Sequence, residues 1–150
     1  MNAVQLNLLF AWLWIFLGFV SGTVLGLLFH RENWLGGYAS FKRRMYRLGH
    51  ISFFGLGVVN YLFASTARSF PACPLTSAAS WALIVGGITM PLCCGLMAQA
   101  PKARMIFAVP VVSLLLGGAL TLALLFHNSS PAGAVNPVTA SAQPPTHYVP

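Results

Sequence analysis

Apolar residues in this chain are grouped into four long blocks. The four blocks contain no Asp, Glu, Lys or Arg, and the segments that separate them contain nearly all of the charge. A helix needs about 20 apolar residues to cross a hydrocarbon core about 30 Å thick. The pattern therefore predicts four transmembrane α-helices, at residues 6–29, 48–67, 78–100 and 105–126.

The second and later blocks contain features that a membrane helix has to accommodate. His50 and Asn60 interrupt the second block, Pro91 lies in the third, and Pro110 lies in the fourth. Proline removes a backbone donor, so membrane helices tolerate it where a neighbouring group satisfies the freed carbonyl. We expect such partners in the folded bundle.

The connection between the first two blocks is predicted to form a short interfacial helix. Ser40 can cap it, and Gly36 and Gly37 separate it from the first span. Its apolar residues recur at helical spacing, and these are Tyr38, Phe41, Met45 and Leu48. The basic residues Lys42, Arg43, Arg44 and Arg47 then face lipid head groups. The alternative is a solvated basic loop with no specific contact.

From residue 128 to residue 150 the composition changes to Pro, Ala, Ser, Thr and Asn without Lys, Arg, Asp or Glu. Such a segment cannot bury enough apolar surface to offset its ordering entropy. We predict a disordered C-terminal tail that follows a transmembrane domain of residues 1–127. The fold class is thus an all-α, integral membrane four-helix bundle.

Composition supports lipid as the main solvent. Only 6% of the residues are charged, 57% are hydrophobic, and Glu32 is the one acidic residue. Soluble domains carry about a quarter of their residues as charges. The net charge of +7 does not indicate nucleic-acid binding, because no basic and aromatic groove or finger motif accompanies it.

The distribution of Lys and Arg predicts the orientation in the membrane. All of the eight basic residues except Arg68 fall in 30–47 and 101–104, which are the first and third connections. Cytoplasmic loops are enriched in Lys and Arg. We expect both segments in the cytoplasm and both termini in the periplasm, and the small size and simple topology fit a bacterial inner membrane.

Glycines in the first span form a stripe along one helix face. Gly18, Gly22 and Gly26 repeat the small-xxx-small spacing that lets another helix approach closely. The stripe packs either inside this chain's own bundle or against a different subunit. Asn60 is expected to form an interhelical hydrogen bond, since an amide at that depth needs a partner.

Two histidines are the main candidates for a cofactor site. His30 ends the first span and His50 lies one turn inside the second, so both are expected near the same membrane surface. Two imidazoles from neighbouring helices can ligate haem iron or copper. The alternative is that each histidine reaches water or bonds a backbone carbonyl.

A second candidate site consists of sulfur ligands on the third span. Met90, Cys94 and Met97 share one helical face, and soft sulfur ligands select Cu(I). The alternative is ordinary apolar packing, which Met and Cys also provide.

No catalytic set emerges from the sequence. A single acidic residue excludes paired-carboxylate chemistry within the chain, and no phosphate-binding loop is present. The leading hypothesis is a structural or assembly subunit, without enzymatic activity of its own, that packs through the glycine stripe. Its expected partners are the lipid bilayer and either other membrane subunits or further copies of itself. The alternative is a haem- or copper-handling redox protein.

Overall fold

The computed structural model describes residues 2–69, 73–100 and 105–129, and it is built from four long helices. Their bounds are α1 Ala3–Phe29, α2 Phe41–Ala67, α3 Pro74–Gln99 and α4 Ala108–Ser129. No strand occurs within these described ranges. The prediction of four long helices is confirmed. Asn128 and Ser129, which the prediction placed in the disordered tail, are the last residues of α4. The rest of the predicted tail lies outside the described residues.

All four helices are long and apolar enough to cross a bilayer. Their most apolar windows have mean hydropathies of 2.1, 1.3, 1.8 and 2.3 in chain order. Large apolar side chains point away from the protein, among them Phe16, Phe19 and Leu27, which are 61%, 64% and 68% exposed. Exposed apolar surface of this extent suits contact with lipid. The chain is thus compatible with a multi-pass membrane protein.

α2 begins earlier than the sequence pattern predicts. Ser40 caps the helix, since its side chain accepts a hydrogen bond from the Arg43 N–H at 3.2 Å. The helix then continues without a break to Ala67. The predicted interfacial segment is therefore the first two turns of α2 and does not form a separate helix. Only a 3₁₀ turn at Trp34–Gly36 precedes it.

Two glycines reverse the chain between α1 and α2. Gly36 and Gly37 have φ angles of 87° and 90°, a region that residues with a Cβ rarely adopt. The Ser40 hydroxyl also donates to the Leu35 carbonyl at 2.7 Å, which ties this turn to the start of α2. We call the end of the bundle that carries Arg31, Lys42, Arg43, Arg44 and Arg47 the basic end, and the opposite end the amino-terminal end.

The helices form an open bundle in which α2 and α3 lie at the centre. α2 packs along both α1 and α3, whereas α4 packs mainly against α3. α1 and α3 run in the same direction and touch over only part of their length. The α3–α4 contact is made by reciprocal pairs, because a Cβ at Gly86 would lie 2.6 Å from Leu114 and a Cβ at Gly117 would lie 2.7 Å from Leu83.

Carbonyls near the two helix prolines have partners on neighbouring helices. Pro91 has no N–H to offer the Gly87 carbonyl, and the Trp14 indole donates to that carbonyl instead, at 3.0 Å. The Ile106 carbonyl, four residues before Pro110, accepts the Cys93 thiol at 3.5 Å. An unsatisfied carbonyl costs several kcal/mol in lipid. These two contacts therefore allow proline inside the apolar helices.

Candidate functional site

A buried polar cluster joins three helices in the amino-terminal half of the bundle. The Asn7 side-chain amide of α1 donates to the Asn60 Oδ1 of α2 at 2.7 Å. The Ser80 hydroxyl of α3 donates to the Asn7 Oδ1, and the Asn60 amide also donates to the Leu56 carbonyl at 2.8 Å. All three polar side chains are fully buried. The cluster holds α1 and α3 together at this level.

Trp14 forms the next contact between α1 and α3, about two turns further along. Besides its bond to the Gly87 carbonyl, its ring stacks on Phe10 with centroids 4.0 Å apart. Phe53 of α2 approaches the same ring with centroids 5.7 Å apart. A cavity begins directly beyond Trp14.

The cavity has a volume of about 600 Å³ and lies between α1, α2 and α3 in the half of the bundle nearer the basic end. This is within the range of about 300–1,000 Å³ that is usual for small-molecule sites. The wall is almost entirely apolar, with aromatic residues on two helices. Its lining residues are Trp14, Leu17, Ser21, Val24, Leu25, Met45, Tyr46, Gly49, His50, Phe53, Ile88, Pro91, Leu92 and Gly95.

His50 is the one histidine in that wall, and its ring is held by α1. Its Nδ1 lies 3.0 Å from the Ser21 Oγ, and the ring packs edge-on against Phe54 with centroids 5.4 Å apart. The imidazole occupies the space that a side chain at Gly22 would fill, since a Cβ there would lie 2.7 Å from the His50 Cε1. A side chain at Gly22 would therefore displace this imidazole.

The Ser21 hydroxyl lies between the Gly18 carbonyl and the His50 ring. Its single hydrogen is donated to the Gly18 carbonyl at 3.1 Å. In the His50 tautomer that carries its proton on Nδ1, the Ser21 oxygen accepts from that N–H while its own hydrogen remains with the Gly18 carbonyl. Neutral His50 then has its lone pair on Nε2, where it can accept a hydrogen bond or ligate a metal.

The structure does not bring His30 and His50 together. His30 is exposed and caps the C-terminus of α1, whereas the His50 ring lies at the level of Gly22. Eight residues of helix correspond to about 12 Å along the α1 axis. The described residues contain no group of three or more His, Cys, Asp or Glu side chains that could hold a metal ion.

Met90, Cys94 and Met97 lie on α3, and Cys94 is the buried one of the three. Cys94 faces α2, because a Cβ at Gly49 would lie 3.3 Å from the Cys94 Cβ. Met90 and Met97 are half-buried. Copper binding at these residues stays an untested hypothesis.

The glycine stripe of α1 divides into an occupied and an open part. Phe54 lies 2.9 Å from where a Cβ at Gly18 would be, and His50 fills the position at Gly22. Gly26 has no atom within 4 Å of the corresponding point. Two of the three glycines thus pack on α2 of the same chain. Of the three, only Gly26 has space for contact with another molecule.

The four basic residues at the start of α2 differ in their surroundings. Lys42 and Arg44 are exposed and Arg47 is half-buried, but Arg43 is only 1% exposed. The Arg43 guanidinium donates to the Phe29 carbonyl at 2.8 Å. Its Cζ lies 4.2 Å from the ring centroid of Phe29 and 4.3 Å from that of Tyr38. Arg43 therefore caps the end of α1 and fixes the connection against it.

Sequence reasoning missed three residues of these networks, namely Asn7, Ser21 and Ser80. Asn7 is a polar residue inside an apolar block, and that signal could have identified it. Ser21 and Ser80 carry no comparable signal, because a serine in a membrane helix often bonds its own backbone. No protein-family model, no curated protein and no solved structure matches this chain.

Proposed function

We propose that this chain is a four-span integral membrane protein that binds a lipid-soluble ring compound in the cavity beside His50. The ligand class is that of the isoprenoid quinones and quinols, which join a flat ring carrying carbonyl or hydroxyl groups to an apolar tail. Both termini lie in the periplasm of a bacterial inner membrane, and segments 30–47 and 101–104 lie in the cytoplasm. Support for this orientation comes from the distribution of Lys and Arg.

The observation that carries the proposal is an apolar cavity of about 600 Å³ that contains a single oriented imidazole. Apolar sites with a few fixed polar groups are the usual form of ligand-binding sites. Trp14, Tyr46 and Phe53 offer aromatic surfaces on which a flat ring can stack. The His50 Nε2 accepts a hydrogen bond from a ring hydroxyl, and the Tyr46 hydroxyl donates one to a ring carbonyl.

The shape of the bundle supports a ligand with an apolar tail. α1 and α3 are joined by Asn7, Ser80 and Trp14 in one half and line opposite sides of the cavity in the other. A gap between two membrane helices opens toward lipid, so a tail can extend from the cavity into the bilayer.

The test uses fluorescence of Trp14 in lipid nanodiscs. Trp12, Trp34 and Trp81 are replaced by Phe, so that Trp14 is the only reporter, and a short-tailed benzoquinone is titrated. We expect saturable quenching, because a ring bound beside Trp14 quenches its fluorescence. Gly95→Leu should weaken the binding at least tenfold, since Gly95 lines the cavity and has open space beside it.

Gly55→Leu is the matched control, because Gly55 also has open space beside it but lies outside the cavity. It should leave the quenching curve unchanged. Quenching that rises linearly without saturation, or that is the same in Gly95→Leu and Gly55→Leu, would refute the proposed site.

Haem is a second candidate occupant, and the pairing of Ser21 with His50 favours it. A hydrogen bond from Nδ1–H to the Ser21 oxygen fixes the imidazole and leaves the Nε2 lone pair to serve as an axial ligand. A visible spectrum of the purified protein tests this, with His30→Ala as the control for His50→Ala. The candidate is supported by a haem band that His50→Ala abolishes and His30→Ala preserves. It fails if neither wild type nor haem-supplemented protein shows a band.

Copper binding by Met90, Cys94 and Met97 and assembly with other membrane subunits remain predictions. Metal analysis of the same preparation tests the first. Assembly with other subunits has to use surfaces other than Gly18 and Gly22, because α2 covers both glycines. Migration of the detergent-solubilised protein only as a lone monomer would count against it.

A further inference from the structure

A second, smaller recess lies between α1 and α2 at the basic end. It has a volume of about 270 Å³, and its walls come from these two helices alone. We call it the Gly26 groove, and its lining residues are Gly22, Leu25, Gly26, Phe29, Arg47, His50 and Ile51. The His50 ring occupies the space beside Gly22, so the groove exists because α1 has no side chain at Gly26. At Gly26 nothing from the described residues fills the space.

Arg47 gives this otherwise apolar groove a positive charge. Its guanidinium Cζ lies 6.0 Å from the Tyr38 ring centroid, and the side chain is half-buried. The chain has eight Lys and Arg but only one acidic residue, Glu32. Most of its basic groups must therefore obtain counter-ions from outside the chain.

A buried cation behind the groove strengthens the attraction for an anion. Arg43 packs its guanidinium against Phe29, which is one wall of the groove. Its Nε and Nη1 are buried and have no hydrogen-bond partner among the described residues. A buried charge that is only partly satisfied is costly, so an anion nearby lowers the free energy of the folded protein.

We propose that the Gly26 groove binds one anionic phospholipid. The head-group phosphate pairs with Arg47, and an acyl chain lies against Leu25 and Gly26. An apolar floor beside a cation at the end of a membrane helix matches the order of groups in a phospholipid. Phosphate is the anion that a bilayer presents at that depth. The inference requires that the chain lies in a bilayer, but it does not depend on a ligand in the larger cavity.

The experiment measures lipid retention by native mass spectrometry of the full-length protein. The protein is released from vesicles that contain equal amounts of phosphatidylglycerol and phosphatidylcholine, both with the same acyl chains. We expect one retained phosphatidylglycerol per chain. Arg47→Gln should reduce the preference for phosphatidylglycerol about fivefold, since a basic residue at the surface contributes about 1 kcal/mol to binding of anionic lipid.

Two glycine variants separate the acyl-chain contact from the charge. Gly26→Leu fills the groove without altering any charge and should abolish retention of the lipid. Gly55→Leu makes the same change at an open position outside the groove and should retain it. Helix content by circular dichroism should be equal in both, because Leu forms helices more readily than Gly.

Arg44→Gln is the control for Arg47→Gln, since Arg44 is exposed on the same segment and does not line the groove. Equal loss of the preference for phosphatidylglycerol in these two variants would mean that the lipid is attracted generally to the basic end. That result would overturn the proposal. It would also be overturned if both lipids were retained equally, or if millimolar inorganic phosphate displaced phosphatidylglycerol. Retention that survives Gly26→Leu would exclude the acyl-chain contact.

Discussion

The two halves of the bundle differ in how closely the parallel helices α1 and α3 pack against each other. In the amino-terminal half, Asn7 and Ser80 are hydrogen-bonded and Trp14 reaches the Gly87 carbonyl, so α1 and α3 are in contact. In the half nearer the basic end, the two helices line opposite sides of a cavity of about 600 Å³. Polar side chains that bond across helices can therefore hold one half of an apolar bundle together, while the other half contains a cavity.

The largest effect is expected from the polar cluster of the closed half. Asn60→Leu removes the acceptor of the Asn7 amide and leaves that amide buried without a partner. Because a buried unsatisfied donor costs about 1–3 kcal/mol, the free energy of unfolding should fall by a similar amount. Denaturant titration in detergent measures the change.

A triple variant sharpens this prediction. Asn7→Leu and Ser80→Ala, added to Asn60→Leu, remove the remaining members of the cluster and should restore most of the lost stability. If the triple variant is less stable than Asn60→Leu, the loss of stability comes from removing the polar groups. It does not then come from leaving one of them without a hydrogen-bond partner.

A smaller effect is expected at the boundary between the two halves. Trp14→Phe keeps the aromatic ring but leaves the Gly87 carbonyl without a donor, since Pro91 has no N–H. We expect a loss of about 1 kcal/mol in the free energy of unfolding. In a Pro91→Ala background the backbone N–H at position 91 can bond that carbonyl, so the same substitution should cost less.

The matched comparison is Trp12→Phe, because Trp12 is 60% exposed and faces away from the protein. It should have the same effect with or without Pro91→Ala. An equal cost of Trp14→Phe in both backgrounds would contradict the role assigned to the indole N–H.

The smallest expected change is in the reactivity of the Cys73 thiol at the amino-terminal end. Cys73 caps α3 at the amino-terminal end, and the hydrogen bond with the Thr76 hydroxyl holds the pKa of its thiol below the usual range. The bond stabilises the thiolate, so Thr76→Val should raise the pKa and shift maleimide labelling to higher pH. Labelling reactions are stopped after a fixed time at several pH values and analysed by mass spectrometry. The pH at which labelling is half-maximal then gives the shift.

The same thiol tests the proposed orientation. A membrane-impermeant maleimide should label Cys73 in intact cells with a permeable outer membrane, whereas Cys93 and Cys94 are buried and should not react. A cysteine placed by Arg44→Cys at the basic end should be labelled only after the inner membrane is opened. Labelling of that position in intact cells would reverse the orientation.

The sequence alone determined the number and type of the helices and the position of several of their ends. Uncharged blocks of about 20 residues have the length of a membrane-spanning helix, in which each backbone group bonds within its own helix. Ser40 could be identified as a cap for the same local reason, since its side chain bonds a donor three residues away. Local patterns of this kind do not require knowledge of the neighbouring helices.

Only the tertiary structure decided which side chains meet. The glycine stripe did not reveal that Gly22 accommodates His50 while Gly26 stays open, and the basic run did not reveal that Arg43 is buried between aromatic rings. The predicted interfacial helix is not a separate element either, because α2 continues without a break from Phe41 to Ala67. The register and rotation of each helix depend on the side chains of its neighbours, and those contacts join residues that are far apart in the sequence.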